Sequence, residues 1–539
     1  MRFGAWLVIG GLCVAMTAHS ADEAQQRWWA HIQYLADDSL EGRQTGSEGH
    51  RKAAEYVAKQ FAKAGLRPAG DAGGYVQSVP FISRRIVEER SHLSLERGGQ
   101  LEALTLGEDA TINMRISPAA NVRAPLVFVG YGLTVPEVGH DDLAGMDLKG
   151  KVAVFFSGGP QNIPGPLLAH YQTAGERWSA LKRAGAIGAL TIQNPRGQDI
   201  PWDRSKLARL APAMSIADAA LDETAGQQIA VTVNPERAGK LFEGSGHAYA
   251  DLLAAATNHR PLERFVLANS VVAEVAFESS KVTSQNIVGS RPGTDPRLKA
   301  EYVVISAHVD HLGIGEPVNG DRINNGAMDN ASGIATLIEI AAALDAAKVK
   351  LKRSVLFVAV TAEEKGLLGS EYYASKPLYP LAKTVGVINM DALDPMGPAK
   401  NFTTSGSAKS DLQYLLVADA EKAGLVYSPD PHPEAGHFFR SDHFSFAKQG
   451  VPAFSFGSGN DLVTGGISAG EAAHKDYVTN RYHQPADEWQ PTWTFAGMAH
   501  DLGVLYQVGS DLANSDRWPD WSKDSEFRAK RDETASERH

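Results

Sequence analysis

The segment TAEEKGLLGS, residues 361–370, places Glu363 and Glu364 side by side directly after the apolar run SVLFVAV. Adjacent like charges repel, and a carboxylate drawn into a protein interior needs a partner. Four other segments bring similar groups to similar places. YVVISAHVDHLG carries His308 and Asp310 just past an apolar run, and GAMDNASG holds Asp329 ahead of a helical stretch. VGVINMD ends on Asp391, and RYHQPADEW carries His483 in a polar loop. Singly, most of these residues are ordinary. Asp329 suits an Asx turn or a helix cap, and His308 a hydrogen-bonded interior histidine. His483 alone is uninformative, whereas Asp391 after a hydrophobic strand would be costly unless paired. As a set they are far more specific. Imidazoles and carboxylates without thiolates suit Zn²⁺ or another divalent ion. Two histidines with three carboxylates exceed what one tetrahedral ion with an open position takes. They fit two ions about 3.5–4 Å apart that share a bridging carboxylate. The glutamate pair then divides its work, one holding metal and the other taking a proton from the attacking water.

The elements that must position these groups are legible around them. From about residue 283, apolar runs alternate with helical stretches: YVVISAH, GIATLIEIAAALDAAK, SVLFVAV, GLLGSEYYASK, TVGVINMD, SDLQYLLVADAEKAG, PAFSFGSG and TWTFAGMAHDLGVLYQVGSDLA. Uninterrupted apolar strands alternating with helices imply a mixed, mainly parallel sheet covered on both faces, a three-layer α/β/α arrangement. Ligands in such folds sit beyond the carboxyl ends of the strands, where the acids and histidines fall.

The rest of the 539-residue chain reads as further regions. Residues 1–20 have the form of a secretory signal, with Arg2, the apolar stretch FGAWLVIGGLCVAM and AHS before Ala21. That stretch is shorter than the ~20 residues a membrane span needs, although a retained anchor is the alternative. Cys13, the only cysteine, lies within it, so the mature chain would have no disulfide and no thiolate ligand. Export without disulfides suits a periplasmic or extracellular location. Residues 21–112 open with two helical patterns around LEGRQTGSEGH, the second stopped by Gly65. Residues 113–270 carry the short β-type runs APLVFVGYG, KVAVFFSGG and IGALTIQNP and look like an inserted domain. Residues 271–515 hold the motifs above, and 516–539 form a charged tail, solvated except for a Trp-containing start. A formal net charge of −11 without a dominant basic patch argues against nucleic acid as a partner.

AHVDH, GAMDNASG, EEKGLLGS, NMDA and YHQPAD, in this order and spacing, resemble the M28 family of zinc exopeptidases, co-catalytic aminopeptidases with a phosphorylase/hydrolase-like α/β fold. LADDSLEGRQTGSEGHRKAAEYVA is similar to the start of these enzymes, and VFVGYG…DLKGKVAVFFSGG…KRAGAIGALTIQNP resembles a protease-associated (PA) domain. The resemblance implies two Zn²⁺ ions, with Asp329 bridging, His308 and Asp391 completing one site, and Glu364 and His483 the other. It implies Glu363 as general base, Asp310 as the group orienting His308, and Tyr482 as an oxyanion donor. In FRSDHFSF, Arg440 would contact substrate while Asp442 and His443 hold the loop. A cis peptide at Asp329–Asn330 is also expected. His311, His437 and Asp487 fit either a supporting or a purely structural role. The implied activity is hydrolysis of N-terminal peptide bonds in peptides or proteins with a free N-terminus. The alternatives are a carboxypeptidase or glutaminyl cyclase on the same scaffold, or a binding protein that has kept the fold without the catalysis.

Overall fold

The computed structural model describes residues 18–197, 200–406, 409–430 and 433–538. Most of the expected signal segment, residues 1–17 with Cys13, lies outside the described residues. The chain builds two sheets. The larger is ten-stranded and contains β1 (Val76–Ile86), β2 (Phe277–Arg291), β3 (Tyr302–His308), β4 (Ser354–Val360), β5 (Thr384–Met390) and β6 (Ala453–Ser458). Its order through the middle is β1-β2-β4-β3-β5-β6. The centre, β4-β3-β5-β6, is parallel, while β1, β2 and the strand Asn401–Thr404 pair antiparallel at the flanks.

Helices cover both faces. On one side lie α1 (Ala18–Leu35), α2 (Glu48–Lys63), α3 (Gly333–Ala346) and a long helix at Phe495–Asn514; on the other lie Leu368–Ser375 and His443–Lys448. Side chains alternate across a strand, so β3 sends Val303, Ile305 and Ala307 into the first layer with Trp28, Val57, Leu337 and Leu505. It sends Val304 into the second layer with Leu356, Tyr373 and Phe446. Helix α2 stops as its sequence predicts: Gly65 has φ +70, and Leu66 N donates to Phe61 O at 3.0 Å.

The second, eight-stranded sheet has its own core, including Phe128, Val154, Leu190 and Val231. Its boundaries differ from the 113–270 span expected from sequence. The strands His92–Arg97, Gln100–Leu104 and Ala110–Ile112 belong to it, because His92–Arg97 pairs antiparallel with Phe265–Glu274. In the other direction, Ala213–Ile216 leaves this body and pairs with β1 of the large sheet. The C-terminal segment is also more firmly docked than a solvated tail. Trp521 and Arg531 are both buried, and the Arg531 Nη1 donates to Thr384 O at 3.1 Å. Among the described residues no helix is long and apolar enough to cross a membrane.

Candidate metal centre

The ends of β3, β4 and β5, the loop ahead of α3 and the turn after Gly466–Asn480 meet at one edge of the large sheet. Asp329 lies between two histidines. Its Oδ1 is 3.2 Å from His308 Nε2, and its Oδ2 is 3.3 Å from His483 Nε2. On the His308 side, Asp391 Oδ1 stands 3.1 Å from the same Nε2. On the His483 side, Glu364 Oε2 is 3.2 Å from Nε2. All five expected ligands therefore converge, with Asp329 central. The peptide bond Asp329–Asn330 is cis, as expected.

His311 joins this group. It is buried, and its Nδ1 lies 2.7 Å from Glu364 Oε1. Donor atoms of His308, Glu363 and Asp391 come together as one possible ion site, and those of His311, Asp329 and Glu364 as a second. This nitrogen-and-oxygen donor set fits two divalent ions.

The electrostatics fit them as well. Burial opposes charge on Asp329 and Glu364. Hydrogen bonds from His308 and His483 nevertheless hold Asp329 well below the usual carboxylate range. His483 and His311 hold Glu364 low. Burial likewise disfavours the imidazolium form of His483, but Glu364 and Asp329 push its pKa up to about 10. The protons on these rings balance carboxylate charge that bound divalent ions would balance instead, so ion binding and ring deprotonation are linked. Glu363 differs from its neighbour: burial, with Asp391, Glu364 and Asp442 nearby, raises it well above the ordinary range against the pull of His308.

Backbone strain separates the two glutamates' neighbourhood from a regular strand end. Ala362 has φ +57, Ala392 after Asp391 has φ +53, and His483 itself has φ +57. Non-glycine residues adopt this region at a cost of order 1–3 kcal/mol each, and such residues cluster at functional sites.

Asp310 acts differently from the expectation. His308 Nδ1 is 3.2 Å from the Asp310 backbone carbonyl and 3.9 Å from its carboxylate. The carboxylate instead accepts from the backbone N–H of Glu363 at 3.1 Å and from Thr45 Oγ1 at 3.0 Å. Asp487 takes the N–H groups of Met328 and Asp329 at 3.0 and 3.1 Å, fixing the loop that presents Asp329. Ser441 Oγ donates to Asp391 Oδ2 at 2.5 Å. Arg43 is a buried brace that sequence reasoning passed over. Its guanidinium donates to the carbonyls of Val309 and Gly326, each at 3.0 Å, which joins the end of β3 to the Asp329 loop.

The remaining expected residues fall around the rim. Tyr482 stacks on His483 with ring centroids 3.9 Å apart, and burial raises its pKa well above the usual value, so its hydroxyl stays a donor at neutral pH. Arg440 is exposed and lines the cleft with Tyr482. Asp442 and His443 are buried behind it; burial pushes Asp442 up to about 7 and His443 down to about 3. His437 stands apart from the centre, its Nδ1 3.0 Å from Asp430 Oδ2. The centre opens into a cleft of about 2740 Å³ walled by both bodies, Arg115, Tyr171 and His259 from the second and Glu363, Asp391 and Tyr482 from the first.

Known proteins share parts of this chain. It is 29% identical over 188 residues to leupeptin-inactivating enzyme 1 of Streptomyces exfoliatus, covering 35% of this chain and 39% of that one. It is 31% identical over 214 residues to leucine aminopeptidase 2 of Trichophyton equinum, covering 36% and 39%. The chain thus spans about two fifths of the length of these curated relatives. Among solved structures, an aminopeptidase from Aneurinibacillus sp. strain AM-1 is 21% identical at a TM-score of 0.49, with 91% of this chain and 92% of that one covered. Residues 286–504, the segment that carries every expected site residue, match the peptidase family M28.

Proposed function

We propose that the protein is an exported aminopeptidase that uses two zinc ions. The observation that carries this reading is the placement of Asp329, one carboxylate with an oxygen toward each histidine, at 3.2 and 3.3 Å. Asp329 would bridge the ions, His308 and Asp391 would hold one, and Glu364 and His483 the other. When bound, such ions lower the pKa of an attacking water and polarise the scissile carbonyl. Glu363 is left free to accept that water's proton and to pass it to the leaving nitrogen. Its N–H tie to Asp310 fixes the base, and the Tyr482 hydroxyl donates to the developing oxyanion. The concentration of carboxylates around the centre suits a protonated amino terminus. The names of the sequence relatives, leucine aminopeptidase and leupeptin-inactivating enzyme, point toward peptide substrates. Export rests on the N-terminal sequence, and the reading of the second body as a PA domain rests on its sequence resemblance.

Paired substrates test this. Leucine p-nitroanilide and leucyl peptides with a free amine should be cleaved, while the same compounds carrying an N-acetyl group should resist by at least a hundredfold in kcat/KM. Release of C-terminal residues from N-acetylated peptides would contradict an aminopeptidase and favour a carboxypeptidase.

A further inference from the structure

The second body contributes more than a wall to the cleft. Arg115 lies just beyond its strand Ala110–Ile112, is exposed, and lines the cleft together with Glu363 and Glu364. Its guanidinium rests against Gly366, where a Cβ would come within 2.7 Å of Nη1 and 3.0 Å of Cζ. Gly366 closes the turn that begins at Glu363, its N–H donating to Glu363 O at 2.8 Å. Arg115 therefore sits on the turn that carries the proposed base. It feels the charges of Glu363 and Glu364 without hydrogen-bonding either. Glu364 is already engaged by His311 and His483, and no hydrogen bond joins the guanidinium to Glu363, so the guanidinium is available to an incoming anion.

The direction of the reaction identifies that anion. Glu363 returns its proton to the leaving nitrogen, so the departing residue must emerge past Glu363, on the side where Arg115 stands. In a dipeptide the C-terminal carboxylate carbon is two bonds beyond that nitrogen. In a tripeptide it lies one residue further, at most about 3.6 Å more. A planar guanidinium matches a carboxylate in a forked, charge-assisted pair. A longer substrate presents an uncharged peptide group at the same place. The geometry points to Arg115 as a specificity-determining residue that binds the free C-terminal carboxylate of short peptides, so that the enzyme favours di- and tripeptides. This rests on the aminopeptidase reading above.

The test compares Leu-Gly-Gly with its C-terminal amide in wild type, Arg115→Ala and Arg115→Lys, alongside calorimetric binding of diglycine and its amide. The wild type should prefer the free acid about tenfold in kcat/KM. In Arg115→Ala that acid-to-amide ratio should collapse toward one, with the loss mainly in KM, and Arg115→Lys should restore part of it. No preference in the wild type, or an Arg115→Ala variant that loses both substrates equally, would overturn the assignment. If the wild type cleaves neither peptide, the aminopeptidase reading falls. Diglycine binding then decides on Arg115: a tenfold weakening in Arg115→Ala that the amide does not show supports it, and unchanged binding refutes it.

Discussion

Glu363 and Glu364 are chain neighbours with opposite electrostatic surroundings. Glu364 lies between His311 at 2.7 Å and His483 at 3.2 Å, which hold it ionised. Glu363 is raised by burial among other acids, which suits a group that must gain and lose a proton. Replacing each should therefore produce a different defect. Glu363→Gln should keep its metal and lose about a thousandfold or more in kcat, while Glu364→Gln should lose metal affinity first. Metal analysis beside kcat distinguishes the two, and wild-type turnover in Glu363→Gln would remove it as the base. Four of the five expected ligands stood out because each lies past the end of an apolar strand or just ahead of a helix, where a lone charge is expensive, whereas His483, in a polar turn, was legible only as part of the motif YHQPAD. His311 carried no such signal; a histidine two residues into a polar turn looks like any other. Arg43 and Thr45, in the polar loop EGRQTG, reveal their roles only through contacts with residues more than 260 positions away.

At the scale of elements, the alternating strands and helices of residues 302–514 followed directly from continuous apolar runs. The helix Gly466–Asn480 did not, because two glycines open it and Gly470 and Tyr477 are its only buried residues, which leaves Tyr477 as its one buried side chain. It nevertheless aims the site, since Tyr482 and His483 follow it within three residues. Its end is held from outside: Arg204 Nη1, in the second body, donates to Val478 O at 2.8 Å and Thr479 O at 2.9 Å. A cation there complements the carbonyl end of a helix. Arg204→Ala should cost about 1 kcal/mol of stability and weaken zinc affinity severalfold, with Arg204→Lys recovering part of both. Competition with a chromophoric chelator and thermal melting measure this; unchanged affinity and Tm would show that the contact is idle. The strand β1 was also hidden, because Pro80 interrupts VQSVPFISRRI and its outer end is basic.

In the whole molecule, two bodies close around one cleft, and their joints are polar. Lys448 bridges Glu223 of the second body at 2.9 Å and Glu371 of the first at 2.5 Å, and Lys376 meets Asp218 at 2.5 Å. His170 of the second body lies 3.3 Å from Glu526 in the C-terminal segment. Such pairs join positions 77 to 356 residues apart and leave no local mark, which is why the domain boundaries and the docked tail escaped the sequence reading while the fold class did not. The assembled picture is of a carboxylate- and histidine-rich centre whose donors fit divalent cations, with a second body lining the cleft that leads to it. The most direct test is to strip the protein with a chelator and titrate zinc back while following leucine p-nitroanilide hydrolysis. Turnover should be absent in the stripped protein and rise with added zinc until about two ions are bound per chain. Full turnover in stripped protein, or zinc-saturated protein that hydrolyses nothing, would contradict the account.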